Sequence, residues 1–97
     1  MPVAVKDELD QAPHPTTVGT RFMGTSPAQC DATVVARLRA SGALLVGKAN
    51  MHEFAVTGVT ASSLGGQTLN PYDLTRTPGG SSGGTGAGVT AGFAVVG

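Results

Sequence analysis

A single cysteine, Cys30, is all the thiol the 97-residue chain carries, so no disulfide can form within it and a reducing compartment, the cytoplasm, is the expected setting. Tryptophan is absent, and aromatic residues make up only 4% of the chain, so any core must be built from small aliphatic side chains. Net charge is absent too: six basic and six acidic residues are scattered without blocks, which leaves no electrostatic footprint for nucleic acid or an anionic membrane. No apolar run approaches the roughly 20 residues of a membrane span. The opening MPVAVKDELD has no basic segment leading into an apolar one, so it does not read as a signal peptide. No cluster of His, Cys or carboxylates falls at metal-ligand spacing, and neither a metal nor an organic cofactor is expected.

What is present is glycine, fifteen of them, with six in the twelve residues TPGGSSGGTGAG from Thr77 to Gly88. Around that stretch the chain reads as α/β. Pro2 to Val5 suits a buried strand, and Asp10 to Thr20, with two prolines and three threonines, reads as loop. DATVVARLRASG predicts a helix with Asp31 as N-cap, Val34, Val35 and Leu38 on one face and Gly42 at its stop. Ala43 to Val46 follows as a buried strand, and Asn50 to Phe54 as a short helix. Val56 to Gly80 is Thr/Ser/Gly-rich and irregular, with a turn at Asn70-Pro71. A long loop of that kind is usually functional. Thr85 to Phe93 reads as a helix of small residues whose N-terminus opens at the serines, and GFAVVG as a strand. PVAV and FAVVG look cut through structure rather than set in linkers, so the sequence is expected to be a truncated piece of a larger domain.

Four motifs compete for the chemistry. Gly42-Ala-Leu-Leu-Val-Gly47-Lys48-Ala49 nearly spells a phosphate loop, but Ala49 stands where the magnesium-binding Ser or Thr belongs, and ALLV suits a strand. Lys48 reads instead as a strand-end lysine within reach of Glu53. Gly84-Thr-Gly86-Ala-Gly88 suggests a dinucleotide fingerprint, but no strand precedes it. Gly79-Gly80-Ser81-Ser82-Gly83 matches the nucleophile elbow literally, again without the strand that motif needs. A serine hydrolase of that type would also call on His14 or His52, both of which have ordinary structural readings. The fourth chemistry is a serine paired with a lysine. A lysine amine acts as a base only when neutral, which burial favours, and Lys6 sits directly after the apolar run PVAV.

PVAVKDELD, DATVVARLRASGA, GKANMHEFA and GGQTLNPYDLTRTPGGSSGGTGAGVTAG together resemble the amidase signature family, in the family's order and over essentially the whole chain. The resemblance implies a fold with a mixed β-sheet core covered by α-helices, of which residues 1–97 form a partial N-terminal domain. It implies hydrolysis of carboxylic amide C–N bonds by a Ser–cis-Ser–Lys triad acting on a small-molecule amide. On that pattern Lys6 is the base and Ser81 the bridging serine after a cis peptide. Gly79 and Gly80 relieve crowding around that bond, Ser82 supports it by a hydrogen bond at the helix start, and Thr57 lies in the loop lining the acyl pocket. Asp73 and Arg76 brace the loop, and Thr85 replaces the serine usual after GGSSGG. The family's attacking serine and oxyanion-hole amides belong to a second Gly-Gly-Ser motif downstream, so the 97 residues alone are expected to be inactive. Two other readings stay open: a non-catalytic truncated product serving as an interaction module, and a glycine loop that binds a phosphate or nucleotide.

Overall fold

The computed structural model describes all 97 residues. Strand β1 (Pro2–Lys6) leads through a long loop to helix α1 (Thr33–Ala40), which returns the chain to strand β2 (Leu44–Ala49). The two strands pair in parallel, from Pro2 opposite Leu44 to Lys6 opposite Ala49. A parallel pair needs a crossover, and α1 provides it. On the other edge of β1, Ala4 N–H donates to Val96 O at 3.0 Å and Val95 N–H to Pro2 O at 3.0 Å, so the expected GFAVVG strand is reduced to a single parallel bridge at Val96. β1 is therefore the middle strand, and Val3, Ala4 and Val5 are buried in succession, as in a strand covered on both faces. Helix α2 (Gly83–Thr90) packs on β1 and, less extensively, on β2. The architecture is α/β.

β2 differs from expectation. It begins one residue later and runs three residues further than the expected Ala43–Val46, and Leu44 and Val46 are exposed rather than buried. The register slips between Val3 and Ala4, leaving Val46 unpaired in a bulge followed by Gly47 at φ 146°. That backbone angle suits glycine and few other residues, which explains a glycine inside a strand. The near-phosphate loop is thus a bulged strand.

α1 also starts differently. Its N-cap is Ala32, not Asp31, and makes no side-chain capping bond. The Asp31 carboxylate is drawn away to Arg39, at 2.8 Å, and to the Ala12 N–H, at 2.8 Å. Only Val35 of the helix is fully buried, and Val34 is exposed. Gly42, at φ 84°, follows the helix end. Cys30 is exposed.

The Asn50–Phe54 segment forms only a 3-10 turn at Glu53–Ala55, with Phe54 at φ 53°. The expected irregular loop contains a small antiparallel hairpin, β3 (Ala61–Ser62) with β4 (Gly66–Gln67). Asn70 to Arg76 closes as predicted: Asp73 N–H donates to Asn70 O at 3.1 Å, and the Arg76 guanidinium pairs with Asp73 at 3.0 Å. No helix is long and apolar enough to cross a membrane.

Candidate active site

Lys6 ends the middle strand, and Ser81 lies just before α2. Because α2 packs on β1, the two side chains meet although 75 positions separate them: Lys6 Nζ donates to Ser81 Oγ at 2.7 Å. The Gly80–Ser81 peptide is cis. Lys6 Nζ also lies 3.2 Å from Glu8 Oε1, with the lysine side chain 16% exposed and the glutamate 42%. Lys6 is therefore largely enclosed on its serine side and open towards Glu8.

The next residue faces a second cluster. The Asp7 carboxylate takes the Lys48 ammonium at 2.7 Å and accepts from the Thr17 hydroxyl and the Thr17 N–H. Lys48 also donates to Pro15 O at 3.1 Å and Thr16 Oγ1 at 3.2 Å. This corrects the expected pairing with Glu53, which lies elsewhere: the Ser63 hydroxyl and N–H hold the Glu53 carboxyl below the usual carboxylate range.

Backbone pairing fixes Ser81 from several directions. Its carbonyl accepts from His52 N–H at 2.9 Å, and Gly84 N–H donates to Asn50 O at 3.1 Å. Thr60, fully buried, donates through Oγ1 to Gly79 O at 2.7 Å and accepts from Gly83 N–H at 2.9 Å. Nothing in the sequence pointed to Thr60. Its only signal is that a threonine hydroxyl can serve both as donor and acceptor between two backbones.

The other residues singled out have different surroundings. Ser82 stands at the N-cap of α2 but is exposed, and its hydroxyl makes no capping hydrogen bond, which corrects the supporting bond expected of it at the helix start. Thr57 is exposed, with its hydroxyl turned back to the Gly58 N–H at 2.6 Å, while Gly58 lies against Gly80. The His52 ring accepts from Ala61 N–H at 3.2 Å through Nδ1, a structural contact, and His14 is exposed in its loop. An open cavity of about 440 Å³ lies between the 3-10 turn and the hairpin, walled by His52, Glu53, Phe54 and Val56; Lys6 and Ser81 do not line it.

The arrangement bears on the phosphate reading as well. An anion at the start of α2 would need free amides there. Gly83 N–H is bound to Thr60, Gly84 N–H to Asn50 and Gly86 N–H to Ser82 O, so those donors are already used. A lysine amine touching a serine hydroxyl, by contrast, is a ready proton path.

Residues 1–97 match the Amidase family over their full length. The chain is 50% identical over 91 residues to a glutamyl-tRNA(Gln) amidotransferase subunit of Deinococcus deserti, covering 94% of this chain and 19% of that protein. It is 49% identical over 96 residues to the putative amidase AmiB2 of Mycobacterium bovis, covering 99% of this chain and 21% of that protein. The crystal structure of the corresponding glutamyl-tRNA(Gln) amidotransferase subunit of Thermotoga maritima superposes with a TM-score of 0.92 at 44% identity, covering 98% of this chain and 21% of that one. The chain thus spans about a fifth of the length of the curated relatives it matches. On sequence and fold together, it belongs to the Amidase family.

Proposed function

We propose that residues 1–97 supply the proton-relay half of an enzyme that cleaves carboxylic amide C–N bonds, with Lys6 as base and Ser81 as bridge. The observation that carries this reading is the 2.7 Å contact between Lys6 Nζ and Ser81 Oγ. With the lysine neutral, the same contact reverses and Ser81 Oγ–H donates to Nζ. An attacking serine supplied from outside residues 1–97 passes its proton to Ser81 Oγ as Ser81 passes its own to Lys6. The attacking oxygen bonds to the carbonyl carbon, and collapse of the adduct breaks the C–N bond. The nitrogen leaves with the proton returned from Lys6 through Ser81. Water then repeats the transfer, releasing the acid and regenerating the hydroxyl.

Thr57, which is exposed, contributes to substrate placement in this reading, with Gly79 and Gly80 shaping the backbone around Ser81. The test is a full-length amidase carrying residues 1–97, made by exchanging them for the matching fifth of AmiB2. Lys6→Ala and Ser81→Ala should each lower kcat by about 10²–10⁴-fold. The double variant should lose little more, because base and bridge act as one unit. Near-normal turnover in Lys6→Ala would remove the proposal.

A further inference from the structure

We infer that Thr60 is a positioning residue for Ser81, holding the bridging hydroxyl in line with Lys6; the inference rests on the lysine–serine relay proposed above. The Thr60 hydroxyl has one proton to give, and it goes to Gly79 O at 2.7 Å. Its lone pair receives Gly83 N–H at 2.9 Å, and Ser81 O lies further off at 3.5 Å. Gly79 precedes and Gly83 follows the segment Gly80-Ser81-Ser82, so a single side-chain oxygen ties both ends of the loop that carries Ser81. The tie is close. A Cβ on Gly80 would sit 2.6 Å from Thr60 Oγ1, and one on Gly83 would collide with it outright. The two glycines leave room for the hydroxyl to reach the backbone.

Packing alone does not account for this residue. Thr60 has φ 53°, a left-handed angle that a β-branched residue rarely adopts and that persists only when its surroundings enforce it. The enforcement is visible on the outer side. Gln67 Nε2 donates its two protons to Val59 O at 2.5 Å and Thr68 O at 2.8 Å and lies 3.3 Å from Thr60 O, and Thr68 N–H donates to Thr60 O at 3.0 Å. A side chain needed only to fill volume would not require a hydroxyl aimed at two backbone groups from a disfavoured backbone. The chain of support runs from exposed Gln67 to buried Thr60 to the Ser81 loop, and ends at the 2.7 Å contact with Lys6.

The experiment uses the same full-length amidase with an amide substrate, reading kcat, KM and melting temperature together. Thr60→Val keeps the shape and removes the hydroxyl, while Thr60→Ser keeps the hydroxyl. Thr60→Val is expected to lower kcat by about 10²-fold, the scale of loss from a displaced reacting group. KM should stay close to that of the parent, and Thr60→Ser should restore most of kcat. A Thr60→Val enzyme with parental kcat and only a lower melting temperature would overturn the inference by making Thr60 merely structural. Should Thr60→Val not fold, Gln67→Met decides: its site is exposed, and a lower kcat at unchanged melting temperature supports positioning, while an unchanged kcat overturns it. Ser81→Ala, run alongside, separates the two levels. If it abolishes turnover, the relay stands and the Thr60 results judge the positioning alone; if it does not, the relay falls and this inference with it.

Discussion

Asp7 and Lys48 meet at 2.7 Å across the C-terminal ends of β1 and β2, each side chain only 12% exposed, one residue beyond Lys6. Enclosed charges are costly to desolvate, so the contribution of such a pair appears mainly when one partner is removed and the other is left buried alone. Lys48→Met should lower unfolding stability by about 3–5 kcal/mol. Arg76→Met, which breaks the pair with Asp73, should change it far less, because water screens that pair in the open turn. Urea unfolding followed by circular dichroism reads both, and equal losses at the two sites would contradict the distinction between them.

The Arg39 guanidinium, assisted by the Ala12 N–H, holds the Asp31 carboxyl below its ordinary value of 3.8. The folded carboxyl therefore gives up its proton more readily than the unfolded one. Its contribution to stability is complete above pH 3.8 and is lost as pH falls through the depressed value. Asp31→Asn should flatten the acid limb of a plot of unfolding midpoint against pH. Glu53 and Asp73 are shifted in the same direction, so a reduced slope should remain. An Asp31→Asn curve parallel to the parent's would show that the pair forms no part of the acid transition.

Gly84 and Gly88 lie on α2 one turn apart but in opposite circumstances. A Cβ on Gly84 would collide with the Asn50 backbone, whereas one on Gly88 would meet nothing within 4 Å. Gly84→Ala should destabilise by about 1–3 kcal/mol through overpacking. Gly88→Ala should stabilise by about 0.5–1 kcal/mol through helix propensity. Thermal melts of the two variants distinguish them by the sign of the shift.

The contrast also explains what could be read in advance. The start of α2 was legible to within two residues, because its small side chains and the serines before it marked a helix opening. Which glycines were obligatory was not, since that depends on Asn50 and Thr60 arriving from elsewhere in the chain. Asp31 had the right chemistry for a cap, but Arg39, one helix length away, draws its carboxylate off and the N-cap falls to Ala32. ALLV had the composition of a buried strand, but one face of β2 is uncovered, which leaves Leu44 and Val46 open. Lys6 and Ser81 have no local pattern linking them: the residues suggested Lys6 with one of the serines, and only the resemblance singled out Ser81. Thr60 was beyond sequence reasoning altogether: a β-branched residue in a left-handed conformation contradicts the propensity on which such reasoning depends.

Lys6 and Ser81 stand 75 positions apart, and each is held by backbone from the chain between them, Lys6 opposite Ala49 and Ser81 O accepting from His52 N–H. Of what lies between them, the turn from Asn70 to Arg76 bonds chiefly within itself and serves to close a loop. The entropy of closing a flexible loop grows only with the logarithm of its length, and doubling the length adds about 0.6 kcal/mol. The exposed turn around Tyr72 can therefore lengthen or shorten at small thermodynamic expense, provided the strands and Asn50 keep their partners. Such a site tolerates drift in the distance between its motifs while the contact between Lys6 and Ser81 stays fixed.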